Sequence, residues 1–226
     1  MQKMLKQHLV STLSHKHVLK MNTTPLFRKS FSMAMYHNNV SPFEFGLGEK
    51  IISQLPDYFV KFHQGDATRQ TVIEASGYLK VTRGSFIGNL LATIGGLPKA
   101  CEKAHVTAQS IGHGWNRNFD GKELNSKWSI RNGMVVESFG IFNFGFDFIP
   151  IYRNNDPTSQ PIGFEHRFRK MWIFGVVPIP KLLALDPSGT SVCLVEGQPP
   201  KSWHVEVNIT NPIVGHICSY SGIMSM

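Results

Sequence analysis

Between Ile141 and Ile149 the chain alternates without a break. Phe142, Phe144, Phe146 and Phe148 fall on one face, and Ile141, Asn143, Gly145, Asp147 and Ile149 on the other. A period of two is the spacing of a β-strand, whose successive side chains point to opposite sides. Four phenyl rings on one side of one strand must face a core or a large apolar cavity. Trp203 to Ile209 repeats the design, with Trp203, Val205, Val207 and Ile209 on one side and His204, Glu206 and Asn208 on the other. The same period predicts strands at 105–111, 127–131, 134–139, 164–169, 192–196 and 214–220. Turn pairs at Asp120-Gly121, Asn132-Gly133, Ser188-Gly189 and Glu196-Gly197 separate many of them. Asn132-Gly133 between two such runs is a strong hairpin signal.

Ahead of residue 105 the pattern is helical. Phe43 to Gly48 reads as a turn-rich stretch. Ile51, Ile52, Leu55, Phe59 and Phe62 then mark the apolar face of a helix from about 47 to 63, interrupted or restarted at Pro56. Residues 71–82 read as a strand pair or one long bent strand, with Gly77 as a bulge or turn. Ser85 to Ile94 forms a second helix, closed by Gly95-Gly96 and Pro98. The uncharged run from Gly84 to Pro98 is shorter than the ~20 apolar residues of a membrane span, so no span is expected. A buried helix is the preferred reading of this run over a membrane-surface element. The fold expected for residues 44–226 is thus α+β: two N-terminal helices packed on a strongly curved antiparallel β-sheet or barrel, with a sandwich as the alternative.

The net charge of +8 suggests a nucleic-acid partner until it is located. Six of the 23 basic residues lie within residues 1–43, which hold no acid, and the remainder carries 17 basic against 15 acidic residues. A near-neutral domain has no phosphate-neutralising footprint, so no nucleic acid is expected. Residues 1–43 read as a basic leader, with Met1, Leu5, Leu9 and Leu13 at helical spacing. It is either a presequence for organellar import or an N-terminal tail. Cys101, Cys193 and Cys218 are odd in number and widely spaced, which favours reduced thiols in a mitochondrial or cytoplasmic setting. No metal-ligand spacing, GxGxxG after a strand, P-loop, GxSxG or HExxH occurs, so no metal or cofactor is expected.

An ordered set of short features runs through the chain. It comprises Leu55-Pro56 with Phe62-His63; Gly77 followed by Val81-Thr82-Arg83-Gly84; Gly96-Leu97-Pro98; Trp115 to Phe119; and Glu137 to Gly140. Gly175 with Pro178-Ile179-Pro180, then Asn211-Pro212, Gly215, Tyr220 and Gly222, complete it. Over about residues 50–224 the chain resembles the domain of unknown function 4166, which also occurs fused behind saccharopine-dehydrogenase-like domains. The resemblance implies a dehydrogenase-like protein as a partner. It assigns no catalytic residue, and dehydrogenase chemistry would belong to the partner domain.

Candidate chemistry rests on a few side chains. Trp115, Arg117 and Phe119 alternate onto one face, where the guanidinium can stack on the rings and grip an anion, or pair structurally with an internal acid such as Glu137. Glu137 and Asp147 lie on neighbouring strands, where two carboxylates can raise one pKa for acid–base work; solvent-facing acids are the simpler reading. His166 shares a face with Phe164 and Phe168, as a core residue or a proton carrier. Three functions stay open. One is a binding module enclosing a small apolar or lipid-like ligand against Trp115, Arg117 and Phe142, Phe144, Phe146 and Phe148. The others are an enzyme using Arg117 with Glu137 or Asp147, and a docking domain for a dehydrogenase-like protein.

Overall fold

The computed structural model describes residues 40–66, 71–194 and 200–226. Most of the basic leader and the expected Glu196-Gly197 turn lie outside the described residues. Four helices are described: α1 (Pro42–Leu47), α2 (Glu49–Ile52), α3 (Asp57–Gln64) and α4 (Phe86–Ile94). The strands are β1 (Ile73–Arg83), β2 (Cys101–Ile111), β3 (Gly114–Phe119), β4 (Lys122–Arg131), β5 (Met134–Phe139) and β6 (Phe142–Tyr152). They continue with β7 (Pro161–Ile173), β8 (Val177–Ile179), β9 (Asp186–Cys193), β10 (Ser202–Asn211) and β11 (Gly215–Ser225).

Every ladder is antiparallel. The order is β6-β5-β4-β3-β2-β1-β11-β10-β9-β7, and β7 returns to β6 from Phe142↔Ile173 to Tyr152↔Pro161. Ten strands therefore close into a barrel, with β8 attached to β7 alone. Closure pairs both edges of the ten-stranded sheet, so that among the described residues only the three-residue β8 keeps an unpaired edge. The β4–β5 hairpin turns at Asn132 and Gly133, with φ of 51° and 72°, the left-handed pair that an Asn-Gly turn supplies.

The period-two rows point inward. Phe144, Phe146, Phe148, Trp203, Val207 and Ile209 are buried. One end of the barrel is plugged by α3, whose Phe59 and Phe62 pack on Trp203 at ring-centre distances of 6.1 and 4.9 Å. On the same side, Phe43 of α1 stacks edge-on to Phe164. At the opposite end α4 bridges β1 and β2.

Several expectations need correction. The protein is mostly antiparallel β, so the α+β description with two N-terminal helices does not hold. The helix expected over 47–63 restarts, as expected, after Pro56, the N-cap of α3, but its first part is only the short α2, set off from α1 where Gly48 adopts φ 83°. The Phe43–Gly48 stretch is itself mostly helical because Ser41 caps it and Pro42 occupies the first turn. Ser188-Gly189 lies inside β9 rather than at a turn, pairing with Val207 and Asn208 of β10. Gly77 sits within a single β1, where a Cβ would stand 2.0 Å from the Ile223 carbonyl oxygen; the register shift comes between Leu79 and Val81. Finally, α4 is not a buried helix. Phe86 is 84% and Ile94 75% exposed.

Candidate functional site

Alternation along β3, β4 and β5 sends Arg117, Ser126 and Glu137 to the barrel interior, because Arg117 pairs with Leu124 and Glu137 with Trp128 across the ladders. There the Arg117 Nη2 donates to Glu137 Oε1 at 3.1 Å and to Ser126 Oγ at 2.9 Å. Its Nη1 reaches the Tyr220 hydroxyl of β11 from across the barrel at 3.4 Å, and its Nε reaches the Leu124 carbonyl at 3.4 Å. The guanidinium lies 5.7 Å from the Trp115 ring centre. Arg117 and Glu137 are 15% and 14% exposed, so neither charge is left alone in the interior.

This charged waist separates two cavities of about 70 and 80 Å³. Arg117, Glu137, Tyr220 and Val207 line both. The first lies under α3 and is walled by Phe62, His63, Trp115, Trp128 and Trp203. The second lies above α4 and is walled by Leu91, Leu97, Phe139, Phe142, Phe144 and Leu185, among others. Larger clefts of about 410 and 320 Å³ lie elsewhere, but neither is lined by a group of buried, charged side chains like that at the waist.

Burial sets the electrostatics. It raises the Tyr220 hydroxyl above its ordinary value, with the Arg117 charge opposing. It lowers His166, against the pull of Glu137. Burial also works against the Arg117 charge, but Tyr220 and Glu137 outweigh it and hold the guanidinium above its usual value. Burial pushes His63 down to about 3, although its Nδ1 lies 2.9 Å from the Phe59 carbonyl. A neutral His63 donating from Nδ1 keeps Nε2 as an acceptor. The Trp128 indole N–H is buried without a hydrogen-bond partner among the described residues.

Of the residues singled out from sequence, Trp115, Arg117, Glu137 and His166 meet at the first cavity. Phe142 and Phe144 line the second, while Phe146 packs on Trp128 and His166 and Phe148 packs on Phe43 and Phe164. Asp147 does not join them. It projects from the outer face and pairs with Arg169 at 3.1 Å, so the Glu137–Asp147 carboxylate pair is not formed. Sequence reasoning missed Tyr220 and His63 as members of this interior. Both sit in strand or helix patterns that signal burial, and nothing local in them signals a charged partner on another strand. Among the described residues no cluster of three potential metal ligands is present.

No curated protein and no solved structure matches the chain. The family model described as Domain of unknown function (DUF4166) matches residues 55–224, which takes in the whole barrel from β1 to nearly the end of β11. The chain, an antiparallel β-barrel with a charged waist, belongs to that family.

Proposed function

We propose that the barrel binds a small, neutral, largely apolar molecule carrying one oxygen-bearing head group at the waist. The observation that carries this reading is the joint lining of two apolar cavities by one compensated charge pair, with Trp128, whose buried indole N–H lacks an acceptor, in the wall of the first. A buried donor without a partner costs roughly 1–3 kcal/mol, which a hydroxyl or carbonyl oxygen recovers. Because Arg117 is already neutralised by Glu137, a charged head would bring an uncompensated charge into the interior, which is far costlier. The cavities set the size. Each, at about 70 or 80 Å³, is about half the roughly 150 Å³ in which an engineered apolar cavity takes up benzene, so a ligand of that size spans both past the waist. Even together they lie well under the ~300–1,000 Å³ of drug-sized pockets. A lipid-sized occupant requires α4 to lift from β11.

Solvent extraction of the purified full chain followed by mass spectrometry tests this directly, together with thermal-shift titration using phenol and cyclohexanol. Recovery of a small oxygenated compound, or a saturable stabilisation that Val207→Phe abolishes by filling both cavities, is the expected outcome. An empty protein that no such probe stabilises defeats the proposal.

A second reading is favoured by the convergence of Glu137, His166 and Tyr220 on one cavity. In it the same waist performs acid–base chemistry on its ligand. Conversion of an extracted compound that is lost in Glu137→Gln while binding persists is the result expected of it. Binding without conversion by the unaltered protein excludes it.

A further inference from the structure

We propose that the α4 end of the barrel docks on the surface of a lipid bilayer containing anionic headgroups. The starting point is the way α4 is mounted. Arg83, at the end of β1, donates to the Asn89 carbonyl and Oδ1, to Thr93 Oγ1 and to the carbonyls of Leu97 and Pro98. Gly88 faces β11 so closely that a Cβ there would stand 2.5 Å from the His216 carbonyl oxygen. A single arginine thus gathers the helix's exposed polar groups, Asn89 and Thr93, while Gly88 and Ala92 form its buried side. The other side holds Phe86, Ile87, Leu90 and Ile94, all exposed by half or more. An ordinary surface helix is oriented the opposite way, with its apolar stripe toward the core.

The apolar surface continues beyond the helix. Asn211 Nδ2 donates to the carbonyls of Leu182 and Ala184, which ties the segment between β8 and β9 to the β10–β11 turn. Leu182, Leu183 and Ile213 project from these connections, each about 60% exposed. Because β1 and β11 are antiparallel, with Arg83 opposite Cys218, the start of α4 and the β10–β11 turn leave the barrel at one end. Contiguous exposed apolar surface of this kind marks an interaction site.

Charge selects the occupant. The segments carrying these residues, 84–100, 174–185 and 212–214, contain Lys99 and Lys181 and no Asp or Glu. Lys122, in the β3–β4 hairpin that also carries Asp120 and Glu123, would stand with its ammonium 3.6 Å from a Cβ at Gly96. Apolar residues on a helix and on separate turns, flanked by lysines, suit a fluid interface with negative headgroups: the side chains enter the acyl boundary and the ammonium groups stay among the phosphates. The barrel wall is not the contact surface, since it carries exposed Glu74, Lys80, Glu102 and Lys103. The docked end is the one where Leu91 and Leu97 wall the second cavity. The proposal does not depend on that cavity having a ligand, and the two can fail separately.

Flotation of the full chain with vesicles decides it, comparing phosphatidylcholine alone with phosphatidylcholine mixed with phosphatidylserine. Binding is expected to the mixed vesicles and to be much weaker to the neutral ones. Phe86→Ser with Ile94→Ser, both at exposed positions, is expected to weaken partitioning at least about ten-fold. Lys99→Glu with Lys181→Glu is expected to weaken it about five-fold or more per site, and Tyr78→Ala on the barrel wall to leave it unchanged. Circular dichroism establishes that each variant is folded, and the lysine pair provides an independent arm. Binding that survives both sets of substitutions belongs to the basic N-terminal segment and overturns the proposal. So does an absence of binding to either vesicle. Concentration-dependent self-association abolished by Phe86→Ser and Ile94→Ser also overturns it, by assigning this surface to a second copy.

Discussion

Replacing Glu137 by Gln keeps the side chain's shape and a carbonyl acceptor but leaves the Arg117 charge without its counterion. The Arg117 Nη2 and Glu137 Oε1 atoms are 3.1 Å apart and both side chains are about 15% exposed. Opposite charges about 4 Å apart attract by about 4 kcal/mol at an effective dielectric near 20, and removing one partner of a buried pair costs about 3–5 kcal/mol. The contacts from Arg117 to Ser126, Tyr220 and the Leu124 carbonyl remain, and slight solvent access softens the loss. The expected destabilisation is therefore about 3 kcal/mol, or about 6–12 °C in Tm for a chain of this size. Arg117→Met removes the other partner, and the double variant Arg117→Met with Glu137→Gln removes both charges. Because the double variant leaves neither charge stranded, it should be more stable than the sum of the single losses by about 2–3 kcal/mol. Urea unfolding of the four proteins closes the cycle. A loss below about 1 kcal/mol for Glu137→Gln, with no coupling in the cycle, would mean that the pair behaves like a surface ion pair, and the waist described above would then be misconceived.

Three further outcomes are expected. His63 resists protonation down to about 3 when folded, whereas an unfolded histidine takes a proton near 6.5; its contribution is fully present above about pH 6.5 and is lost as pH falls toward 3, by up to about 1.4 kcal/mol per pH unit. His63→Phe should flatten the dependence of unfolding free energy on pH between about 6 and 4, and an unchanged slope refutes the assignment. Gly77→Ala drives a methyl into the Ile223 carbonyl across the β1–β11 ladder, so thermal melting should show a loss of about 2 kcal/mol or more; a neutral substitution would show that the strands part without cost. Burial pushes the Cys193 thiol up to about 11 and raises Cys218 as well, so a maleimide should label the half-buried Cys101 well before either, as read by peptide mass. Equal rates for all three would contradict the burial described.

Local pattern carried much of the strand order. The Asn132-Gly133 turn, the phenylalanine row of β6 and the Trp203 row of β10 each follow from a spacing of two and a turn that only left-handed residues accept. The Ser85 cap and the Gly95-Gly96 stop delimit α4 almost to the residue. The resemblance of residues 50–224 to DUF4166 was likewise legible, because it resides in an ordered string of short motifs. Trp115, Arg117 and Phe119 were recognisable as residues of one face, since alternation within a strand fixes relative orientation; Glu137, on another strand, read more simply as a solvent-facing acid.

Alternation does not say which distant strand a face will meet. Alternation put Asp147 opposite the phenylalanine row, but that β7 returns to β6 and closes the ring, that Tyr220 reaches Arg117 from β11, and that Asp147 finds Arg169 are consequences of long-range pairing. The direction in which α4 faces was likewise undetermined. Its apolar residues promise burial, but the close approach of Gly88 to β11 seats the small residues Gly88 and Ala92 against the barrel and leaves Phe86, Ile87, Leu90 and Ile94 outside. A local sequence specifies what each segment can satisfy by itself, in turns, caps and periodic faces. Which buried charge finds its counterion, and which apolar face is left without a neighbour, depends on the whole chain closing at once.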